Sequence, residues 1–170
     1  MNAPTDPDVL QRAERQAEVV AALQQVLPHG ALLWNPEETT PYECDGPTAY
    51  RQRPLVVALP ESEGQVQAVL KACHALGVPV VARGAGTGLS GGAMPHALGV
   101  TLSLAKFNAI RKVDPVSRTA VVQCGVRNLA ISEAAASYGL YYAPDPSSQI
   151  ACTIGGNVAG NSGGVHCLKH

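Results

Sequence analysis

The chain has 170 residues, 46% of them apolar and 15% charged, and a net charge of −1. That length and balance suit a folded unit with a hydrophobic core and exclude a disordered or acidic-tail chain. With so little net charge there is no global field to recruit nucleic acid or an acidic lipid surface.

Residues 8–27 predict an amphipathic helix. Val9, Leu10, Ala13, Ala17, Val20 and Ala21 recur at helical spacing, while Pro28 and Gly30 stop the pattern. Its polar residues mix both signs of charge, so it reads as a docking helix rather than a membrane-surface one. No basic segment leads into an apolar run at the N-terminus, so no secretory leader is expected. Residues 34–53 form a polar, turn-rich connection. We divide the chain accordingly into an N-terminal helix and connection, 1–41, and a main domain, 42–170.

From Pro54 onward the pattern is that of packed elements. Leu55–Leu59 predicts a buried strand. Ser62 and Gln65 have capping-box spacing ahead of a helix with Val66, Val69, Leu70, Cys73 and Leu76 on its apolar face, ending at Gly77. Pro79–Ala82 then completes a right-handed βαβ unit with parallel strands. Further strands are expected at Gly99–Leu104, Ile110–Val113 and Thr119–Cys124, and a second helix at Leu129–Tyr138. The fold class is α+β, opening with a βαβ unit.

The five cysteines are scattered and form no C-x-x-C pair, which suits thiols in a reducing cytoplasm and suggests no metal site. Stretches 84–105 and 146–168 carry no Asp, Glu, Lys or Arg. Both are too broken by glycine, proline and small polar residues to span a bilayer.

Ten of the 17 glycines fall in two clusters. The first, Gly84-Ala85-Gly86-Thr87-Gly88-Leu89-Ser90-Gly91-Gly92, follows directly on a strand and Arg83. Such a loop can turn backbone N–H groups inward as an anion nest, because glycine accepts positive φ and no side chain blocks a phosphate. It is not a Walker A loop, since no Lys-Ser/Thr follows. Nor does it read as a Rossmann fingerprint: Gly91-Gly92-Ala93-Met94-Pro95 is a poor helix start, and the next acidic residue is only Asp114. The second cluster runs from Tyr141 to Gly164. It is rich in small hydroxyl and amide side chains, which suits a large, flat, polar ligand lying along the backbone.

The pair RGAGTGLSGG and PDPSSQIACTIGGNVAGNSGGVHCLK resembles the PCMH-type FAD-binding domain of the vanillyl-alcohol-oxidase-type flavoproteins. Within that family it is most similar to FAD subunits of glycolate oxidases, then to FAD-dependent D-lactate dehydrogenases. The similarity runs from about Tyr42 to the last residue. It implies that the loop Gly84–Gly92 wraps the FAD pyrophosphate and that Pro144, Asp145 and Ser148 lie along the cofactor near the flavin. It also implies that Thr153, Gly155, Gly156 and Asn157, with Asn161, Ser162, Gly163 and Gly164, contact phosphates, ribityl and ring. Thr87 stands where some relatives carry a histidine covalently joined to FAD, so non-covalent FAD is expected in preference to a link through Cys152. His166 and His170 read as solvated or packed histidines.

The resemblance further implies oxidation of a small 2-hydroxy acid, glycolate or D-lactate, to the 2-oxo acid, with a base taking a proton as hydride passes to the flavin. In the family that base and the substrate contacts come from a cap domain beyond this stretch, so the domain is expected to be incomplete and no catalytic residue is named. Further glycolate oxidase subunits are the expected partners, in the cytoplasm, with any membrane association made through them. Two other readings stay open: a truncated chain that binds FAD or scaffolds a partner without turnover, and an unrelated anion-binding module.

Overall fold

The computed structural model describes residues 7–168. Helices and strands mix as expected, and the chain forms two compact units, each built from non-contiguous segments: Met1–Cys44, Thr48–Ala82 and Met94–Ser103, then Asp45–Pro47, Arg83–Ala93 and Leu104–His170.

The first unit holds helices α1 (Pro7–Gln24), α2 (Pro36–Thr39) and α3 (Glu63–Ala75), with strands β1 (Leu32–Leu33), β2 (Val56–Ala58), β3 (Val80–Arg83, whose last residue joins the second unit) and β4 (Val100–Ser103). The helix forms where periodicity predicts it, but on a different face. Val9, Leu10, Ala13, Ala17 and Ala21 are exposed, whereas Val19 and Leu23 are fully buried. The inward stripe continues through polar residues. The Arg12 guanidinium donates to the carbonyls of Ala97, Arg53 and Pro54, and the Gln16 amide donates to Leu55 O at 2.7 Å and Trp34 O at 3.1 Å. Buried carbonyls need donors, and that need outweighs a purely apolar stripe.

The cap at Ser62 forms: its Oγ accepts from Gln65 N at 3.3 Å, while Gln65 Oε1 reaches back to Glu61 N at 2.7 Å rather than to Ser62. Val69 and Cys73 supply the buried face of α3, and Leu70 stays largely exposed. The helix closes in a Schellman motif, with Gly77 at φ +62°, Gly77 N donating to His74 O and Val78 N to Cys73 O.

The sheet order is β1-β2-β4-β3. Strands β2 and β3, which flank α3, are therefore not neighbours; β4 lies between them, parallel to β2 with Val56 opposite Val100. Hydrogen bonds from Val100 N to Pro79 O and from Leu104 N to Arg83 O keep β3 in step with β4. The short β1 pairs antiparallel to β2. All of β2 and β4 is buried, so this sheet core carries Val and Leu on both faces.

In the second unit, β5 (Ile110–Asp114) and β6 (Thr119–Val122) form an antiparallel hairpin. Asp114 Oδ1 accepts from Val116 N and Ser117 N, both at 3.1 Å, and holds the turn. Helix α4 (Asn128–Ala135) runs into a 3-10 turn over Ala136–Tyr138. Helix α5 (Ile154–Gly160) lies inside the second glycine cluster, where the composition predicts no helix; it ends at Asn161 in the left-handed region, φ +50°. Among the described residues no helix is long and apolar enough to cross a membrane.

Candidate functional site

Both glycine clusters lie in the second unit. The first begins where β3 ends. Gly86 and Gly91 have φ of +71° and +76°, the backbone state a nest requires and L side chains resist. None of the N–H groups of residues 84–92 donates to another backbone carbonyl. Their orientation is held from behind by Asp45-Gly46-Pro47. Gly46 N donates to Gly88 O at 2.9 Å. A Cβ on Gly46 would lie 2.6 Å from that oxygen and 3.0 Å from Thr87 O. In a trans peptide the N–H points opposite to the carbonyl, so the N–H groups of Gly88 and Leu89 face away from Gly46. Asp45 is buried, with no hydrogen-bond partner on either carboxyl oxygen.

The cation of this loop is Arg83, only 8% exposed. Its guanidinium covers Gly86 so closely that any Cβ there would overlap Nη2. The space a Gly86 side chain would need is thus filled by Arg83. Gly88 and Gly92 have open space around the Cβ position. Ala85, Leu89 and Ser90 are exposed, and Thr87 is half-buried.

The second cluster is laid along the segment Cys124–Leu129. Gly155 N donates to Cys124 O, Ile154 N to Val126 O, Asn128 N to Cys152 O and Leu129 N to Gln149 O, at 2.8–3.0 Å. Gly155 packs so near Cys124 that a Cβ would lie 2.8 Å from that residue's Cβ, so packing alone demands glycine there. Ser148 sits in a turn, its carbonyl accepting from Ala151 N and Cys152 N at 2.8 Å. Thr153 is the N-cap residue of α5, and Asn157 in its first turn is buried with an unpartnered Nδ2. Asp145 N donates to Gly163 O at 3.4 Å, and Asp145 Oδ2 lies 3.0 Å from His166 Nδ1. His166 is largely exposed, Cys152 is buried, and His170 lies outside the described residues.

The clusters meet at Gly84 and Thr153, where the Thr153 hydroxyl occupies the space of a Gly84 side chain. Residues 83–92 and 141–164 thus share one compact unit with unpaired N–H donors, a buried cation and an orphaned buried amide. That donor set fits a large, polar, phosphate-bearing cofactor. Sequence reasoning missed the contacts of Asp45–Pro47 and Asn128, which lie outside both glycine clusters and match no phosphate-loop signature. Among the described residues no cluster of His, Cys, Asp and Glu could hold a metal.

Residues 54–170 match the family model described as the FAD binding domain. The glycolate oxidase subunit GlcD of Escherichia coli is 61% identical over 155 residues, covering 91% of this chain and 31% of that protein. The D-lactate dehydrogenase of Archaeoglobus fulgidus is 41% identical over 116 residues, covering 68% of this chain and 26% of that protein. The chain thus spans under a third of the length of these curated relatives. Among solved structures, alkyldihydroxyacetonephosphate synthase superposes with a TM-score of 0.80 at 21% identity, over 90% of this chain and 30% of that one, which shows a shared fold. The chain belongs to the FAD-binding domain family of FAD-linked oxidoreductases, and its cofactor is FAD.

Proposed function

We propose that this chain is the FAD-binding portion of a 2-hydroxy-acid dehydrogenase or oxidase whose substrate is glycolate, D-lactate being the second choice. The observation that carries this reading is the meeting of Gly84 with Thr153, which makes one surface of two glycine clusters far apart in sequence. The identity to a glycolate oxidase subunit supports glycolate, and that to a D-lactate dehydrogenase keeps D-lactate as the alternative.

In this reading Gly84–Gly92 receive the pyrophosphate on backbone N–H groups, with Arg83 supplying positive charge beneath. Pro144, Asp145 and Ser148 lie along the cofactor near the flavin, and Thr153, Gly155, Gly156 and Asn157, with Asn161 to Gly164, contact phosphates, ribityl and ring. Attachment is non-covalent, because Thr87 offers no imidazole and Cys152 is buried. When bound, FAD supplies the two-electron acceptor for oxidising the substrate's α-carbon. The chain's own part is to bind and orient; the substrate-binding residues and the base belong to polypeptide outside these 170 residues. The FAD-binding portion is residues 42–170, preceded by the N-terminal helix and connection. Partner subunits of a glycolate oxidase complex, in the cytoplasm or held at a membrane through them, complete the assembly.

The test is to purify the full chain, titrate it with FAD and follow flavin absorbance and fluorescence, then assay glycolate and D-lactate with an artificial electron acceptor in the presence of the remaining polypeptide. Saturable uptake of FAD and faster turnover of glycolate than of D-lactate are expected. A protein that takes up no FAD overturns the reading.

A further inference from the structure

Asn128 opens α4 and is fully buried, yet only one end of its amide is used. Its Nδ2 donates to Pro144 O at 3.1 Å, while Oδ1 has no partner. A buried amide with an orphaned acceptor is a poor source of stability, since desolvation of the unpaired end offsets the bond at the other. Its position accounts for it better. The backbone N–H of the same residue donates to Cys152 O at 3.0 Å, so Asn128 ties the start of α4 to both arms of the second cluster, the one through Pro144 and the one leading to Thr153.

The bond to Pro144 has a consequence one peptide further on. With the Pro144 carbonyl turned toward Asn128, the trans N–H of Asp145 must point the opposite way. There it donates to Gly163 O, and Asp145 forms an isolated parallel bridge with Gly164. The Gly163 carbonyl is thereby turned toward Asp145, and the Gly164 N–H away from it. Gly164 packs against the Asp145 carbonyl group with no room for a Cβ. One side-chain amide thus orients the Pro144–Asp145 peptide plane and, through its hydrogen bond, the Gly163–Gly164 plane, and the Asp145 that pairs with His166 hangs from the first of them.

We propose that Asn128 is a positioning residue for the flavin end of the cofactor site. It rests on the reading of the unit as an FAD site, and it concerns the second cluster alone, leaving the phosphate loop intact. Removing the amide donor releases the Pro144–Asp145 and Gly163–Gly164 planes without touching Gly84–Gly92. Ligands that need both clusters then weaken, and ligands that need only the phosphate loop do not.

The experiment compares wild type, Asn128→Ala and the isosteric Asn128→Asp, in the full chain, by calorimetric titration with FAD and with ADP. Visible circular dichroism of bound FAD reports the flavin environment. One lost buried hydrogen bond corresponds to about a tenfold loss of FAD affinity. In both variants we expect that loss, an altered flavin dichroism, and ADP affinity within about twofold of wild type. Unchanged FAD binding in either variant overturns the proposal. So does an equal loss of FAD and ADP binding, which marks a merely structural role. Wild type that binds neither ligand defeats the FAD reading itself and this inference with it, an outcome distinct from a variant-specific failure.

Discussion

Thr153 lies so close to Gly84 that its hydroxyl fills the space a side chain at Gly84 would need. This contact joins the end of β3 to the N-cap of α5, and it sets a steric condition on both clusters. Gly84→Ala should destabilise the chain by about 1–3 kcal/mol, the usual cost of overpacking, and weaken FAD binding. Pairing it with Thr153→Ala removes the obstructing hydroxyl. The double variant should recover part of the lost stability, and thermal melts of the four proteins measure the coupling. Additive losses would show that the contact is not the cause.

The positive φ values at Gly86 and Gly91 distinguish glycines the backbone needs from those it does not. Gly86→Val should abolish FAD retention for two reasons, the strained φ and displacement of the Arg83 guanidinium; Gly91→Val should do so through φ alone. Gly88→Ala, in open space, should change apo stability by no more than about 0.5 kcal/mol. Flavin content after gel filtration and apo melting curves check the contrast.

The turn of the β5–β6 hairpin should respond to acid. The Asp114 carboxyl is held below its ordinary value, chiefly by the backbone N–H of Ser117 and then by the Lys112 ammonium. A carboxyl with a depressed folded value stabilises the fold above the unfolded value and loses that contribution as pH falls through the folded one. Melting temperature should therefore drop more steeply in wild type than in Asp114→Ala as pH falls below the usual carboxylate value. Parallel pH curves would contradict this.

Burial sorts the thiols. Desolvation pushes the Cys73 thiol upward, and Cys73 and Cys152 are both buried, whereas Cys167 is exposed. Since the thiolate is the reactive form, a maleimide at neutral pH should label Cys167 first, and Cys73 and Cys152 only on unfolding. Peptide mapping by mass spectrometry reads the order.

Much of this molecule is local and therefore legible along the chain. The Ser62 cap, the stop at Gly77, the hairpin across Asp114 and the positive-φ glycines of the first loop all rest on hydrogen bonds or φ values within a few residues, and so leave a pattern at fixed spacing. So do the two motifs that identify the family. Other features required the folded chain. The inward face of α1 is chosen by carbonyls of distant segments that need Arg12 and Gln16 as donors. Strand β4 enters between β2 and β3 because pairing order depends on partners far along the chain. Gly46 behind the first loop, Asn128 behind the second, and Thr153 on Gly84 are contacts between segments whose separation leaves no periodic trace. Sequence alone determined that two glycine clusters exist and which cofactor-binding family they mark; only tertiary structure decided that the clusters meet, because long-range packing is specified by shape and by unpaired polar groups rather than by spacing.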